Sequence, residues 1–322
     1  MVSVLIVALA AAVVPFVANE YHVSVLVFGG LYAIMGLGLN LLVGYTGQLS
    51  FGHNAFVGLG AYASAILTTR YGVPALAALA LVGVATAVVA VAIGYPTLRL
   101  RGHYLAMGTA AWGVIGYAVF SQMEEVTNGF SGISGIPFLT VGPLAFDTPG
   151  KFFYLTWAVL LVTVIGTRRL VHSRVGRALR AIRSDEVAAR SSGIQTTSYR
   201  VKVFVLSAVL ASGAGSLFAH WVTYISPEPF APGLAIQLLV FLFAGGIGTQ
   251  WGPVVGAVAL TAVGELTSAY QGYSQLAFAV LLVVMLIFAP RGIVGEMSAL
   301  RRRIVGVKPA PVAPAVGGEQ HG

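Results

Sequence analysis

Charge is sparse in this chain and concentrated in one long polar segment, which limits what the rest can fold into. The segment 168–202, RRLVHSRVGRALRAIRSDEVAARSSGIQTTSYRVK, holds nine of the 18 Lys and Arg residues against two acids, Asp185 and Glu186. On either side lie apolar runs of about 20 residues, the length that crosses a hydrocarbon core. Only 9% of the 322 residues are charged and 57% are hydrophobic, where a soluble domain averages about 25% charged residues. The pattern predicts an all-α polytopic membrane protein, because helices satisfy their backbone within each span.

About ten transmembrane helices are expected, near 2–18, 22–43, 54–69, 74–95, 104–122, 152–167, 203–225, 234–247, 253–270 and 274–289. Residues 1–300 then form a single transmembrane domain, with 168–202 as a cytoplasmic segment within it and 301–322 as a disordered cytoplasmic tail. The N-terminal run lacks a basic flank and a small-residue cleavage pattern, so it reads as a retained span. The Gly/Pro-rich stretch 123–151 reads as a loop on the other side. Lys and Arg are retained in the cytoplasm. With 168–202 inside and ten spans, both termini are cytoplasmic and 16 of the 18 basic residues fall inside, leaving only Arg70 and Lys151 outside.

Within the basic segment two short helices are expected. Val175, Ala178, Leu179 and Ile182 make one apolar stripe among arginines. Ser184 reads as an N-cap, with Asp185 and Glu186 in the first turn of a second helix and Arg190 one turn beyond Glu186. Gly193 stands where a left-handed stop would fall.

Two other stretches interrupt apolar runs with closely spaced glycines and polar side chains, GYTGQLSFGH (44–53) and GGIGTQWGP (245–253). Irregular backbone at membrane depth is tolerated where it is buried in protein or lines a cavity, and interrupted or re-entrant segments in both halves point toward a translocation path. The path candidates are Asn40, Gly44, Gly47, Gln48, Ser50, His53 and Asn54 in the first half, and Gly245, Gly246, Gly248 and Thr249 in the second. Gly252-x-x-x-Gly256 and Gly213 to Gly215 read as close helix contacts. Glu265 is a carboxylate inside an expected span, read first as structural.

Several chemistries are excluded or unsupported. The positive charge sits beside apolar spans rather than on a groove-reading module, so no nucleic-acid partner is expected. The histidines are scattered, and no metal-ligand spacing or catalytic constellation appears, so no metal, cofactor or catalytic residue is assigned. No lysine closes a phosphate-binding G-x-x-x-x-G-K-[ST] loop. The chain is not expected to be an enzyme or to hydrolyse ATP itself.

The runs GLGLNLLVGYTGQLSFGHNAFVGLGAYASA (36–65), TNGFSGISGIP (127–137), SRVGRALRAIRSDEVAARSSGI (173–194), GGIGTQWGPVVGA (245–257) and APRGIVG (289–295) together resemble a branched-chain amino acid ABC-transporter permease. The form of 127–137 and of the basic segment is similar to the LivM-type subunit more than to its LivH-type partner. The resemblance implies the membrane-spanning part of an importer in the inner membrane, driven by ATP hydrolysis in partner subunits. Its implied partners are a second homologous permease, two cytoplasmic ATP-binding subunits and an extracytoplasmic substrate-binding protein, besides membrane lipids. It also implies an ATPase-coupling segment, here Gly176, Arg177, Arg180, Asp185, Glu186, Ala188, Ala189 and Gly193. One departure is visible, Val187 between Glu186 and the alanines. Branched-chain amino acids are the implied cargo, and related importers carry urea, short amides or other amino acids. A membrane-embedded enzyme or an ion-driven transporter would instead work without ATPase partners.

Overall fold

Glycine, proline and short polar stretches cut the apolar sequence into helices. The computed structural model describes residues 13–15, 18–100, 102–268 and 292–297. In chain order its main helices are α1 (Glu20–Thr46), α2 (His53–Thr69), α3 (Ala75–Thr97), α4 (His103–Gln122), α5 (Pro149–His172), α6 (Arg174–Ser184), α7 (Glu186–Ser191), α8 (Thr196–Val222), α9 (Pro232–Gly245) and α10 (Gly252–Ser268). Of these, α1, α3, α4, α5 and α8 are long and apolar enough to cross a membrane. At 1.5 Å per residue, the 14 residues of α9 reach only about 21 Å, short of a core about 30 Å thick. Eight expected spans coincide with one helix each. Those at 2–18, of which only 13–15 and 18 are described, and at 274–289, with the tail 301–322, lie outside the described residues.

The boundaries of the basic segment differ from expectation. Helix α5 continues to His172 and α8 already starts at Thr196, so only 173–195 leave these two long helices. Charge does not end a helix: long Arg and Lys side chains carry their heads to water while the backbone stays helical. Arg169 also sits in the last turn of α5, where a cation is favoured by the negative end of the helix dipole.

At the centre lies α1, buried over most of its length by protein rather than lipid, which is why it is apolar on every side. Its glycines admit a different neighbour at each turn. Gly29 faces Val258 of α10, Gly30 faces Thr156 and Trp157 of α5, and Gly38 faces the Ser207 carbonyl of α8. Helices α2 and α8 touch backbone to backbone at Gly60 with Ser212 and at Gly215 with Val57. Gly213, two residues away, faces no neighbouring atom.

The stretch 123–148 is more ordered than the expected loop. After a one-turn helix, Glu124–Thr127, strand β1 (Ile133–Ser134) pairs antiparallel with β4 (Tyr224–Ile225), and β2 (Thr140–Val141) makes a hairpin with β3 (Leu144–Ala145). Arg70 holds this cap to the end of α2, donating to the Glu125 carbonyl (3.0 Å) and to Asn128 Oδ1 (3.3 Å). The β1–β4 pairing, Ile133 with Ile225, is long-range and has no local sequence period, so a Gly/Pro-rich stretch reads only as a loop.

Candidate functional site

The basic segment folds as two short helices, α6 and α7, as expected. Ser173 caps α6 by accepting from the Val175 N–H (3.1 Å). Ala178, Leu179 and Ile182 are buried as their stripe requires, and Gly176 leaves room for the Val171 carbonyl at the sharp α5–α6 bend. Arg180 returns to that bend and donates to the Val171 carbonyl (2.9 Å), while Arg177 is exposed.

The cap of α7 is Asp185, not Ser184. Ser184 is the last residue of α6, and the extended Asp185 (φ −157°, ψ 112°) accepts from the Val187 and Ala188 N–H groups at 2.8 and 3.0 Å. A carboxylate competes better than a hydroxyl for free N–H donors at the positive helix end. Glu186 meets Arg190 at 2.7 Å as its spacing implied, and also takes a two-pronged contact from Arg200 of α8 at 2.9 Å on each oxygen. Gly193 is left-handed (φ 81°), and the Ile194 N–H closes back on the Ala189 carbonyl (3.1 Å). Ala189 is buried within the chain whereas Ala188 is exposed and Val187 is 73% exposed. The two alanines therefore do not share an outward face; Val187 and Ala188 are the exposed apolar side chains of α7.

Both glycine breaks lie at the same end of the bundle as this segment, and they meet. Helix α1 stops at Thr46 because Gly47 turns left-handed (φ 73°) and the Gln48 N–H bonds the Leu42 carbonyl at 3.2 Å. Helix α9 stops at Gly245, and Thr249 starts the next helix by accepting from the Gly252 N–H (3.0 Å). The buried amide of Asn40 joins the two: its Nδ2 donates to the Thr249 carbonyl (2.8 Å) and its Oδ1 accepts from the Gly248 N–H (2.9 Å). Any side chain at Gly44 would strike Asn40 Oδ1 and the Gly248 backbone. Arg183 of α6 donates to the Gly44 carbonyl, and its side chain also lies beside Gly47 and Gly248. Gly248 is left-handed as well (φ 70°). Gln250 adds a tie to α5 by donating to the Val164 carbonyl (3.2 Å).

Beside this knot is a cavity of about 290 Å³ lined by Thr46, Gly47, Gln48, Leu49, the start of α4, and the Glu186 and Arg200 side chains. Three stretches far apart in sequence thus converge around one end of α1. Gly245 and Gly246 take a second role, because Gly245 packs directly on Gly252 and Gly256 of α10. Ser50, His53 and Asn54 point instead into the bundle, all nearly fully buried.

The family described as "Branched-chain amino acid transport system / permease component" matches residues 21–290 of this chain. The chain belongs to this family of permeases. It is 35% identical over 302 residues to the high-affinity branched-chain amino acid transport system permease protein LivM of Salmonella typhimurium, covering 87% of this chain and 71% of that protein. The LivM protein of Escherichia coli K12 is 34% identical over the same shares. LivH of Salmonella typhimurium is 26% identical over 83% of this chain and 92% of its own length. No solved structure matches the chain.

In this permease the α2–α8 contact also carries polar groups that the sequence reading did not join. His53 bridges Ser50 Oγ (3.2 Å) and Ser207 Oγ (2.7 Å). Ser216 donates to Ser64 (2.8 Å), Ser64 meets His220 Nε2 (3.0 Å), and His220 Nδ1 donates to the Pro137 carbonyl (2.8 Å). Thr86 of α3 donates to Ser212 (3.0 Å). Ser207, Ser212, Ser216 and His220 recur every four or five residues along an apolar helix, and that spacing was the available signal. Asn54 donates to the Gly113 and Phe230 carbonyls, both at 3.0 Å, so it joins helices rather than facing a cavity. Glu265 lies in α10, partly buried.

Proposed function

We propose that this chain is the membrane-spanning subunit of an ATP-driven importer of branched-chain amino acids in the inner membrane, with about ten transmembrane helices, interrupted or re-entrant segments such as the short α9, and both termini in the cytoplasm. The observation that carries the proposal is the contact of Arg183 with Gly44 beside Gly248. It joins the cytoplasmic basic segment directly to the two breaks of the translocation path. Movement of α6 and α7 under an ATPase subunit is then transmitted to the inner mouth of the path without an intervening element. Glu186 and Arg200 keep α7 on α8 during that movement. The chain works with a second permease, two ATP-binding subunits and an extracytoplasmic binding protein, and it has no ATPase site of its own.

Reconstitution with those partners tests this. Leucine uptake is expected to need ATP and the binding protein, and an excess of urea or acetamide is expected not to compete. Leucine uptake by the chain alone on an ion gradient would overturn the reading, and competition by urea would move the cargo. Val187→Glu places a charge on the exposed face of α7. Insertion and pairing are expected to survive, while stimulated ATP hydrolysis and uptake fall together; unchanged hydrolysis and uptake would remove α7 from the coupling.

A further inference from the structure

Helix α3 has two unlike faces. Ala78, Val82, Thr86, Ala90, Gly94 and Thr97 are buried against the bundle. On the opposite side Leu81, Val84, Val88, Val91 and Tyr95 are 48–66% exposed and recur at alternating steps of three and four. Small residues inward and branched apolar residues outward is the arrangement of a helix that packs on protein with one face and on hydrocarbon with the other. From Leu81 to Tyr95 the row runs about 21 Å at 1.5 Å per residue, more than one leaflet of a core about 30 Å thick.

The row continues one turn further to Arg99, whose guanidinium lies 4.4 Å from the centre of the Tyr95 ring. Tyr95 and Arg99 form one wall of a cleft of about 720 Å³. The other wall is the exit from α7 and the start of α8, with Arg190, Lys202, Thr197 and Ser198. Three cations line this space, and no carboxylate does among the described residues. Glu186 lies behind the wall and neutralises part of Arg190, but it is shared with Arg200, so an excess of positive charge remains. The first turn of α8 has no side-chain cap on this wall, which leaves N–H donors there as well.

We infer that the cleft binds the phosphodiester headgroup of an anionic phospholipid, with one acyl chain lying along the outer row of α3. Charge, hydroxyl donors and an aromatic at the hydrocarbon boundary suit the headgroup, and the unbroken apolar row leading away from them suits the chain. The cleft uses none of the residues at the glycine breaks, though it shares Arg190 and Gly193 with the end of α7.

Native mass spectrometry of the purified full-length chain tests it. With mixed phosphatidylglycerol and phosphatidylcholine, wild type is expected to retain phosphatidylglycerol. Arg99→Gln and Lys202→Gln are each expected to lower that retention by about fivefold, while Arg169→Gln, at the same membrane side but outside the cleft, leaves it unchanged. Equal retention by all four proteins would overturn the assignment. Glycerol 3-phosphate at matched concentration is expected not to displace the lipid; full displacement would mean a soluble phosphate site and overturn it too. A Val88→Cys side chain is expected to stay reactive to a lipid-soluble maleimide when the second permease is co-expressed. Complete protection would give the row to a protein partner instead.

Discussion

Asn40 shows how much one polar side chain decides in an apolar bundle. Leucine would fit the hydropathy of α1 better, yet the amide closes both the Gly248 N–H and the Thr249 carbonyl. Each buried group left unpaired costs about 1–3 kcal/mol. Asn40→Leu is therefore expected to lower the thermal midpoint of the purified permease and reduce uptake, and an unchanged or raised midpoint would show that the knot is not needed. Glycine is just as position-specific. Gly215→Ala drives a methyl into the Val57 backbone, whereas the Gly213 position is open and alanine there gains about 0.5–1 kcal/mol of helix preference. Gly215→Ala should lose folded protein in size-exclusion profiles while Gly213→Ala keeps it or improves it; the reverse order would contradict the α2–α8 packing.

At the scale of elements, α7 is a six-residue helix, too short to hold itself in water. Asp185 starts it, Gly193 ends it, and the Glu186–Arg200 contact fixes it to α8. Both partners of that contact are largely buried, with side chains 19% and 12% exposed. Arg200→Gln removes a charge-assisted pair of hydrogen bonds, each kind worth about 1.5–3 kcal/mol. The variant is expected to insert and to bind the ATPase subunits, but with ATP hydrolysis no longer responsive to the binding protein. Wild-type stimulation would show that α7 needs no anchor. Amphipathic α6 is legible because its stripe has the helical period; the cap of α7 is misplaced by one residue because Ser and Asp are both preferred N-cap residues and stand side by side at this boundary.

For the whole molecule, two ends can be told apart. Arg183, Gly44 and Gly248 meet at one end, and Arg70, Asn128 and the β1–β4 pair gather at the other. Ser134 and Gln195 are both exposed, and the proposed orientation, with the basic segment in the cytoplasm, puts Ser134 outside and Gln195 inside. The chain has no cysteine, so single-cysteine labelling reads cleanly: Ser134→Cys is expected to react with an impermeant maleimide in intact cells and Gln195→Cys only after permeabilisation. Reaction of Gln195→Cys in intact cells would invert the topology.

The sequence by itself determined that this is a helical membrane protein and where most of its helices run, because hydrophobic length and helical period are local properties that neighbours do not alter; that it is a permease came from the resemblance of its motifs to that family. It also marked the two glycine breaks and the basic segment as unusual. Only the tertiary structure decided that these three meet, that Asn40 rather than the glycines joins the breaks, that Ala189 turns inward, and that serines on α8 find histidine and threonine partners on α2 and α3. The polar pairings among those choices depend on which faces of helices 126 to 209 residues apart come together, and a backbone contact at a glycine leaves no period in the sequence to announce its partner.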